Sequence, residues 1–287
     1  MNKTLRIIST VALSLATVFA VGCKDKKEEK ASVSVPKGSL ADIKARGKLI
    51  VGVFGDIPPY GSVDSTGKNV GFDIAFARRF ALDLLGDSTK IQFVTLDPAN
   101  RIEYLKSDKV DIVLADFTVT EERKKEVDFA LPYSKVSLGI VVPENSKITK
   151  VEDLKDKKLI VSKGTTAEIF FTKNYPDVNL LKFDQNTALF QALKDKRGDA
   201  LSQDNTLLFA WAKENPGFKV IIGNLGPVDQ ISPAVKKGNQ ELLQWINDEL
   251  VNLRKVQFAH TAYDAELKSH FSADTKADDV VVEGGQI

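Results

Sequence analysis

The sequence predicts an α/β protein of two lobes, each a mostly parallel sheet flanked by helices, and three observations predict it. The first is an internal repeat. Leu105–Asp116 reads LKSDKVDIVLAD and Leu193–Asp204 reads LKDKRGDALSQD, and each copy is a helix end, a basic turn, an aspartate (Asp111, Asp199), a β-type run and a terminal aspartate (Asp116, Asp204). The second is the alternation of short β-branched runs with stretches of helical periodicity. The third is a pair of segments placed to cross between the halves: the apolar run Val136–Val142, and a return punctuated by Gly223, Gly226 and Pro227. In open α/β sheets ligands bind at the carboxyl ends of the parallel strands. Two lobes that each end a strand in an acid therefore frame a cleft for a small cationic group.

In chain order, Lys48–Phe54 is the expected first strand, followed by a helix over Phe72–Leu85 with Ile74, Ala77, Ala81 and Leu84 on one face. Ile91–Leu96 is a strand, Arg101–Lys106 a helix, and Val110–Ala115 an apolar strand buried on both faces. Thr120 caps a short helix whose first turn carries Glu121 and Glu122. After the crossing strand come a strand at Leu159–Ser162, a helix at Thr166–Tyr175, a strand at Leu180–Phe183 and a helix at Thr187–Lys196. A strand at Ala200–Gln203, a helix at Asn205–Glu214 and a strand at Lys219–Ile222 follow. Ile231–Val235 and long helices from Asn239 and Ala262 return to the first lobe. The expected division is 39–135 with 228–287 as a discontinuous first lobe and 136–227 as the second, hinged on two strands.

The 287 residues suit one large domain or two modest ones, and the repeat favours two. A formal net charge of +1 with 28% charged residues gives no bias toward polyanions, which argues against nucleic acid as a partner. Lys3 and Arg6 precede an uncharged, mostly apolar run, Ile7–Val21, in the layout of a secretory signal over residues 1–22. The run is shorter than the roughly 20 residues a membrane-spanning helix needs. It ends in Ala20-Val21-Gly22-Cys23, and Cys23 is the single cysteine. Small residues before such a cysteine resemble a bacterial lipobox, with cleavage before Cys23 and diacylation of its thiol; an uncleaved anchor or an ordinary signal is the alternative. Residues 23–38 read as a flexible tether on that lipid. The remaining body has no disulfide, no thiol nucleophile and no cysteine metal site.

Several residues point to recognition of a zwitterion. Arg123 stands in the first turn of a helix just past the strand ending in Asp116, where a guanidinium and free turn amides suit a carboxylate. A surface ion pair to Glu126 or Asp128 is the plain alternative. Lys163-Gly164-Thr165-Thr166 is a glycine turn leading from a strand into a helix, with amide and hydroxyl donors that suit the same carboxylate or simply cap the helix. Asp204 is the expected counter-ion for an ammonium group, with Asp116 assisting; it also stands where it can cap the helix at Asn205. Arg101 reads either as a pocket-edge cation or as a structural partner of Asp97 or Glu103. Trp211 and Trp245 fall at core positions of helices. His260 and His270 lack the spacing of a zinc site, and no phosphate loop, nucleophile elbow or dinucleotide fingerprint occurs, so neither metal nor cofactor is expected.

Taken together, VGVFGDIPPYG, VGFDIAFARRF, DIVLADFTVTEERKKEVDFALPY, VEDLKDKKL, VSKGTTAE and GDALSQDNTLL resemble the bacterial family 3 solute-binding proteins that serve polar-amino-acid ABC transporters. The likeness runs from about Ser39 to Phe271, and the order of segments is more specific than any one of them. DPANRIEYLKSDKVDI, YDAELKSHF and ADDVVVEGGQI bring it nearest to a cysteine-binding branch. The resemblance implies the type II periplasmic-binding-protein fold, a monomer that closes on a free amino acid, and delivery to a permease outside the cytoplasm. It implies Arg123 on the ligand carboxylate with Thr118, Thr165 and Thr166 beside it, and Asp204 on the ammonium. Phe54, Ile57 and Tyr60 would wall the side-chain space, and Phe117 counts among the ligand-binding residues. Asp116 departs from the small or neutral residue common at its position, and Arg101 leaves aspartate, glutamate or cystine open as ligands. An enzymatic alternative, a cyclohexadienyl dehydratase-like activity, would use Glu168 as general acid; a first-turn helix residue is the plainer reading.

Overall fold

The computed structural model describes residues 36–286, so the leader, Cys23 and most of the tether lie outside the described part. Helix α1 (Leu40–Arg46) starts at Ser39, whose Oγ accepts from the Asp42 amide at 3.2 Å, and stops at Gly47. Strand β1 (Leu49–Val53) follows, then a small antiparallel sheet of β2 (Asp56–Ile57), β3 (Gly61–Val63) and β4 (Asn69–Val70). Helix α2 (Phe72–Leu85) buries Phe72, Ile74, Phe76, Ala77, Phe80 and Ala81. Next come β5 (Ile91–Thr95), α3 (Arg101–Lys106), β6 (Ile112–Val113), α4 (Glu121–Glu126) and β7 (Val127–Phe129). Thr120 caps α4, its Oγ1 accepting from the Arg123 amide at 3.2 Å.

Strand β8 (Ser134–Pro143) crosses into a second set: β9 (Lys158–Ser162), α5 (Thr166–Asn174), β10 (Asn179–Phe183), α6 (Asn186–Lys194), β11 (Ala200–Asp204) and α7 (Asn205–Glu214). Strand β12 (Phe218–Ile231) crosses back to β13 (Ala234–Lys236), α8 (Gln240–Arg254) and α9 (Phe258–Ala262). The first sheet has the order β5-β1-β6-β13-β7 and the second β10-β9-β11-β8-β12. In each, the three strands that alternate with helices pair in parallel, and two further strands, each paired antiparallel to its neighbour, complete the sheet. The protein is thus a two-lobed α/β fold hinged on β8 and β12.

The sequence repeat is a structural repeat. Asp111 donates its amide to Ile50 O and accepts the Ile50 amide on its carboxylate, both at 2.8 Å; Asp199 does the same with Lys158, again at 2.8 Å. Each aspartate therefore ties the turn before β6 or β11 to the start of the neighbouring parallel strand. The turn itself repeats too, with Asp108 (φ 54°) and Lys196 (φ 58°) both left-handed at matched positions.

Three elements differ from expectation. Val110–Ala115 is buried throughout as expected, but only Ile112–Val113 forms regular strand. Ladder bonds from the Asp111 and Leu114 amides to Ile50 O and Gly52 O continue on either side of it. The return crossing is one continuous strand, because pairing with β8 overrides its glycines and proline. Three register shifts between Val220 and Asp229 absorb the misfit, and Pro227, which has no amide to donate, sits on an edge strand. The last helix starts at Phe258 and passes into a π turn (Tyr263–Leu267) and a 3-10 turn (Lys268–His270). Acids do approach the histidines: His260 meets Glu283 at 2.9 Å and Asp278 at 3.0 Å, and His270 pairs with Glu214. Among the described residues no group of three or more potential metal ligands forms, and no helix is long and apolar enough to cross a membrane.

The paired aspartates make a comparative prediction. Asp111→Ala leaves the Ile50 amide without its carboxylate partner in a buried place, which should cost about 1–3 kcal/mol in urea unfolding. Asp199 is exposed, so Asp199→Ala should cost less; equal losses would contradict this account.

Candidate functional site

The carboxyl ends of β1, β6, β9 and β11 meet at a small, tightly closed pocket. Phe54, Ile57, Pro98, Arg101, Asp116 and Thr118 line it from the first lobe; Thr165, Thr166, Asn186, Gln203 and Asp204 line it from the second. Eight of the residues singled out in the sequence thus come together. Tyr60, Phe117 and Arg123 are buried just behind that wall, at 2%, 1% and 5% exposure. Phe117 is the plate on which both cations rest, with the Arg101 guanidinium 4.4 Å and that of Arg123 4.8 Å from its ring centre.

Arg101 forms no ion pair with Asp97 or Glu103. Its Nε donates to Pro98 O at 3.0 Å, one terminal nitrogen to Ala115 O (3.1 Å) and Asp116 O (2.9 Å), and the other to Gly164 O (3.2 Å). Arg123 forms no surface pair either, since Lys106 holds Glu126 at 2.8 Å and Lys237 holds Asp128 at 2.7 Å. It donates instead to Thr118 O at 2.6 Å and Gly164 O at 2.8 Å. One carbonyl of the second lobe thus accepts from both arginines of the first. Gly164 has φ +74°, and a Cβ there would lie 2.7 Å from Ala99 Cα, so only glycine lets this turn approach so closely. Thr165 locks the turn, donating to Ser162 O at 2.7 Å and accepting from the Glu168 amide at 3.3 Å.

The acids are less well served. Asp116 sits at φ 43°, its amide donating to Asp73 Oδ2 at 2.9 Å, while Tyr133 donates to the other oxygen of Asp73 at 2.7 Å. Asp204 occupies the N-cap position of α7 but makes no side-chain cap bond, because Asn205 Oδ1 takes the Thr206 amide at 2.8 Å. Asp116 Oδ1, Asp204 Oδ1, Tyr60 Oη and Thr206 Oγ1 are all buried without a hydrogen-bond partner. Such groups are costly to leave unmatched, and the two carboxylate oxygens among them receive no donor from the chain.

Charge follows the same logic. Burial pushes the Asp116 carboxyl up to about 6, although Arg101 and Arg123 oppose this. Burial, then the neighbouring Asp116 charge, push Asp204 well above the usual carboxylate range. Burial and Asp116 raise Asp73 to about 7. Burial lowers Arg123 to about 10, with Asp204 and Asp116 holding it up, so arginine and acid share one field. Arg101 is lowered by burial and by Arg123.

Sequence reading misses Pro98, Asn186 and Gln203 in the wall and Asp73 and Tyr133 behind it. Gln203, next to Asp204 at a strand's carboxyl end, had a usable signal; Tyr133 and Asp73 reach the site only through packing of α2 against the start of β8.

The sequence model of the family described as bacterial extracellular solute-binding proteins, family 3, matches residues 49–264. The ABC transporter glutamine-binding protein GlnH of Bacillus subtilis is 36% identical over 253 residues, 87% of this chain and 92% of that protein. The crystal structure of a cysteine-binding protein from Campylobacter jejuni superposes with a TM-score of 0.84 at 58% identity, covering 85% of this chain and 98% of that one. That of the solute receptor for L-cysteine of Neisseria gonorrhoeae gives 0.84 at 53% identity, covering 85% and 100%.

The raised acids set a pH dependence. The folded protein keeps protons on Asp73 up to about 7 and on Asp116 up to about 6, whereas unfolded aspartate releases its proton near about 4. Between these limits the folded state binds more protons, so these groups lower stability as pH rises. From about pH 4 to about pH 6 the Tm of wild type should fall more steeply than that of Asp116→Asn. Parallel curves would show that the Asp116 carboxyl keeps its ordinary affinity for protons.

Proposed function

The chain belongs to the family 3 bacterial extracellular solute-binding proteins, and on that premise we propose that it binds a free polar amino acid, cysteine in our reading, by lobe closure. It would then deliver the amino acid to an ABC permease. The observation that carries the reading is the pocket in which Asp204 of the second lobe faces Arg101 and Asp116 of the first, both acids having an unmatched oxygen and Arg123 lying buried beside them. Arg123, with the Thr118, Thr165 and Thr166 hydroxyls, takes the ligand carboxylate. Its bond to Gly164 O is the kind of contact a carboxylate oxygen replaces. Asp204 and Asp116 take the ammonium, which also supplies the positive charge that allows both acids to ionise. Phe54 and Ile57 wall the side chain, with Tyr60 and Phe117 behind. The lobes divide at 39–135 with 228–287 and at 136–227.

Three points favour a small neutral side chain over aspartate or glutamate. The pocket is small; Asp116 adds negative charge beside the side-chain space; and Arg101 already spends its N–H groups on four backbone carbonyls. The two similar crystal structures, named for cysteine, favour that amino acid among small ones. A binding role without catalysis is supported at Glu168. One carboxylate oxygen accepts the Gly164 amide at 2.7 Å and the other pairs with Lys182 at 2.8 Å, so Glu168 itself is not free to act as an acid toward the pocket. Incubation with prephenate or arogenate should yield no product.

We place the protein outside the cytoplasm as a monomer, held at the membrane by acylation of Cys23, which lies outside the described residues. Cys23→Ser should move it from the membrane fraction to the soluble exported fraction.

A thermal-shift screen of the twenty amino acids and cystine, on protein lacking residues 1–23 and with cysteine kept reduced, tests the ligand. Cysteine should give the largest shift; a larger shift with glutamate or aspartate would overturn the choice. Arg123→Ala removes two charge-assisted bonds of about 1.5 kcal/mol or more each, so cysteine affinity should drop roughly 100-fold while the far-UV CD spectrum stays that of wild type. Undiminished affinity would remove Arg123 from the site.

A further inference from the structure

Asp56 lies in β2, next to the pocket wall at Ile57 but not itself in that wall. Its carboxylate reaches across the cleft to the start of α6. Oδ2 accepts the Asn186 amide at 2.9 Å and the Thr187 amide at 3.1 Å, and Oδ1 accepts Asn186 Nδ2 at 3.2 Å. The first amides of a helix have no partner within the helix. The residue that normally supplies one from the same chain segment, here Gln185 at the N-cap, makes no side-chain cap bond. Helix α6 is therefore capped from the opposite lobe, by a negative charge at the positive end of its dipole.

The contact leads inward. Asn186 is 1% exposed and lines the pocket, and its Oδ1 accepts from Gln203 Nε2 at 3.4 Å. Gln203 Oε1 in turn accepts the Asp204 amide at 3.3 Å. A continuous hydrogen-bonded chain thus runs from Asp56, through two pocket residues, to the backbone of the acid that faces the pocket from the second lobe.

We propose that Asp56 is a closure latch, a positioning residue whose bonds to the α6 amides form only when the lobes meet and so set how long a bound amino acid is retained. The inference rests on the reading that the protein closes on such a ligand. In the open form the α6 amides and the Asp56 carboxylate are hydrated separately. On closure they exchange water for one another, and the Asn186–Gln203 link aligns Asp204 at the same moment. The latch leaves ligand entry untouched, because entry precedes closure, and it acts on escape.

Stopped-flow kinetics with cysteine on wild type, Asp56→Ala and Asp56→Asn test this. Asp56→Ala should raise koff roughly ten-fold or more, the size of one lost charge-assisted bond, with kon unchanged. Asp56→Asn, which keeps the shape and one acceptor oxygen, should fall between and covers the case in which the alanine variant folds poorly. In wild type, ligand should slow hydrogen exchange at the Thr187 amide, and Asp56→Ala should abolish that protection. Unchanged koff, or a fall in kon with koff constant, would overturn the latch. If wild type binds none of the twenty amino acids or cystine, the proposed function fails instead. A latch with no ligand to retain is then overturned together with that reading, whereas unchanged koff in a protein that does bind overturns the latch alone.

Discussion

Two carboxyl groups placed side by side in a buried pocket cannot both be ionised unless a cation or a proton stands between them. Asp116 and Asp204 are placed this way, and much of the surrounding structure serves to keep them there. The left-handed backbone at Asp116 is held by Asp73, which is held in turn by Tyr133 at the entry to the first crossing strand. Arg101 anchors the same segment from the other side through the Ala115 and Asp116 carbonyls. A hydrophobic isostere of this cluster would be easier to fold. Under the proposed function, the unmatched oxygens are the acceptor half of a binding site whose donor arrives from solution.

The same constraint explains why two lobes are needed. Apart, the first lobe's edge would hold Asp116, Arg101 and Arg123, and the second's Asp204, in a wet setting where ion pairs contribute little. Bringing the Gly164 turn to within contact of Ala99, and its carbonyl to both arginines, removes water from the charges and strengthens every interaction among them. Under the proposed function, closure is therefore part of recognition and does more than cover the ligand. Among the described residues the two crossing strands carry the covalent connections between the sheets, and the longer one, β12, contains three register shifts.

The internal repeat links fold to site in an economical way. A helix end, a left-handed turn and an aspartate that clamps the neighbouring strand recur in both lobes, and each delivers a carboxylate to the same cleft edge. Their surroundings then differ. In the first lobe the clamp is buried and braced by Arg46; in the second it is exposed. One supersecondary unit thus serves twice with separate tuning of stability.

Strand and helix identity, the doubled unit, the cap at Thr120 and the set of charged residues around the cleft are all legible along the chain. They depend on interactions within a few residues, on hydrophobic period, turn chemistry and the direction of a parallel strand. Which of two readings holds for Arg101, Arg123 and Asp204 is not legible there. Each has acids, amides or carbonyls within local reach, and only the packing of distant segments removes those partners and supplies others, as Lys106 and Lys237 do by occupying Glu126 and Asp128. The same holds for Asp73, Tyr133, Asn186 and the Asp56 contact, which join segments far apart in sequence. Burial converts these from ordinary polar residues into a charged pocket, and burial is a property of the assembled sheets, with no counterpart in any short stretch of sequence.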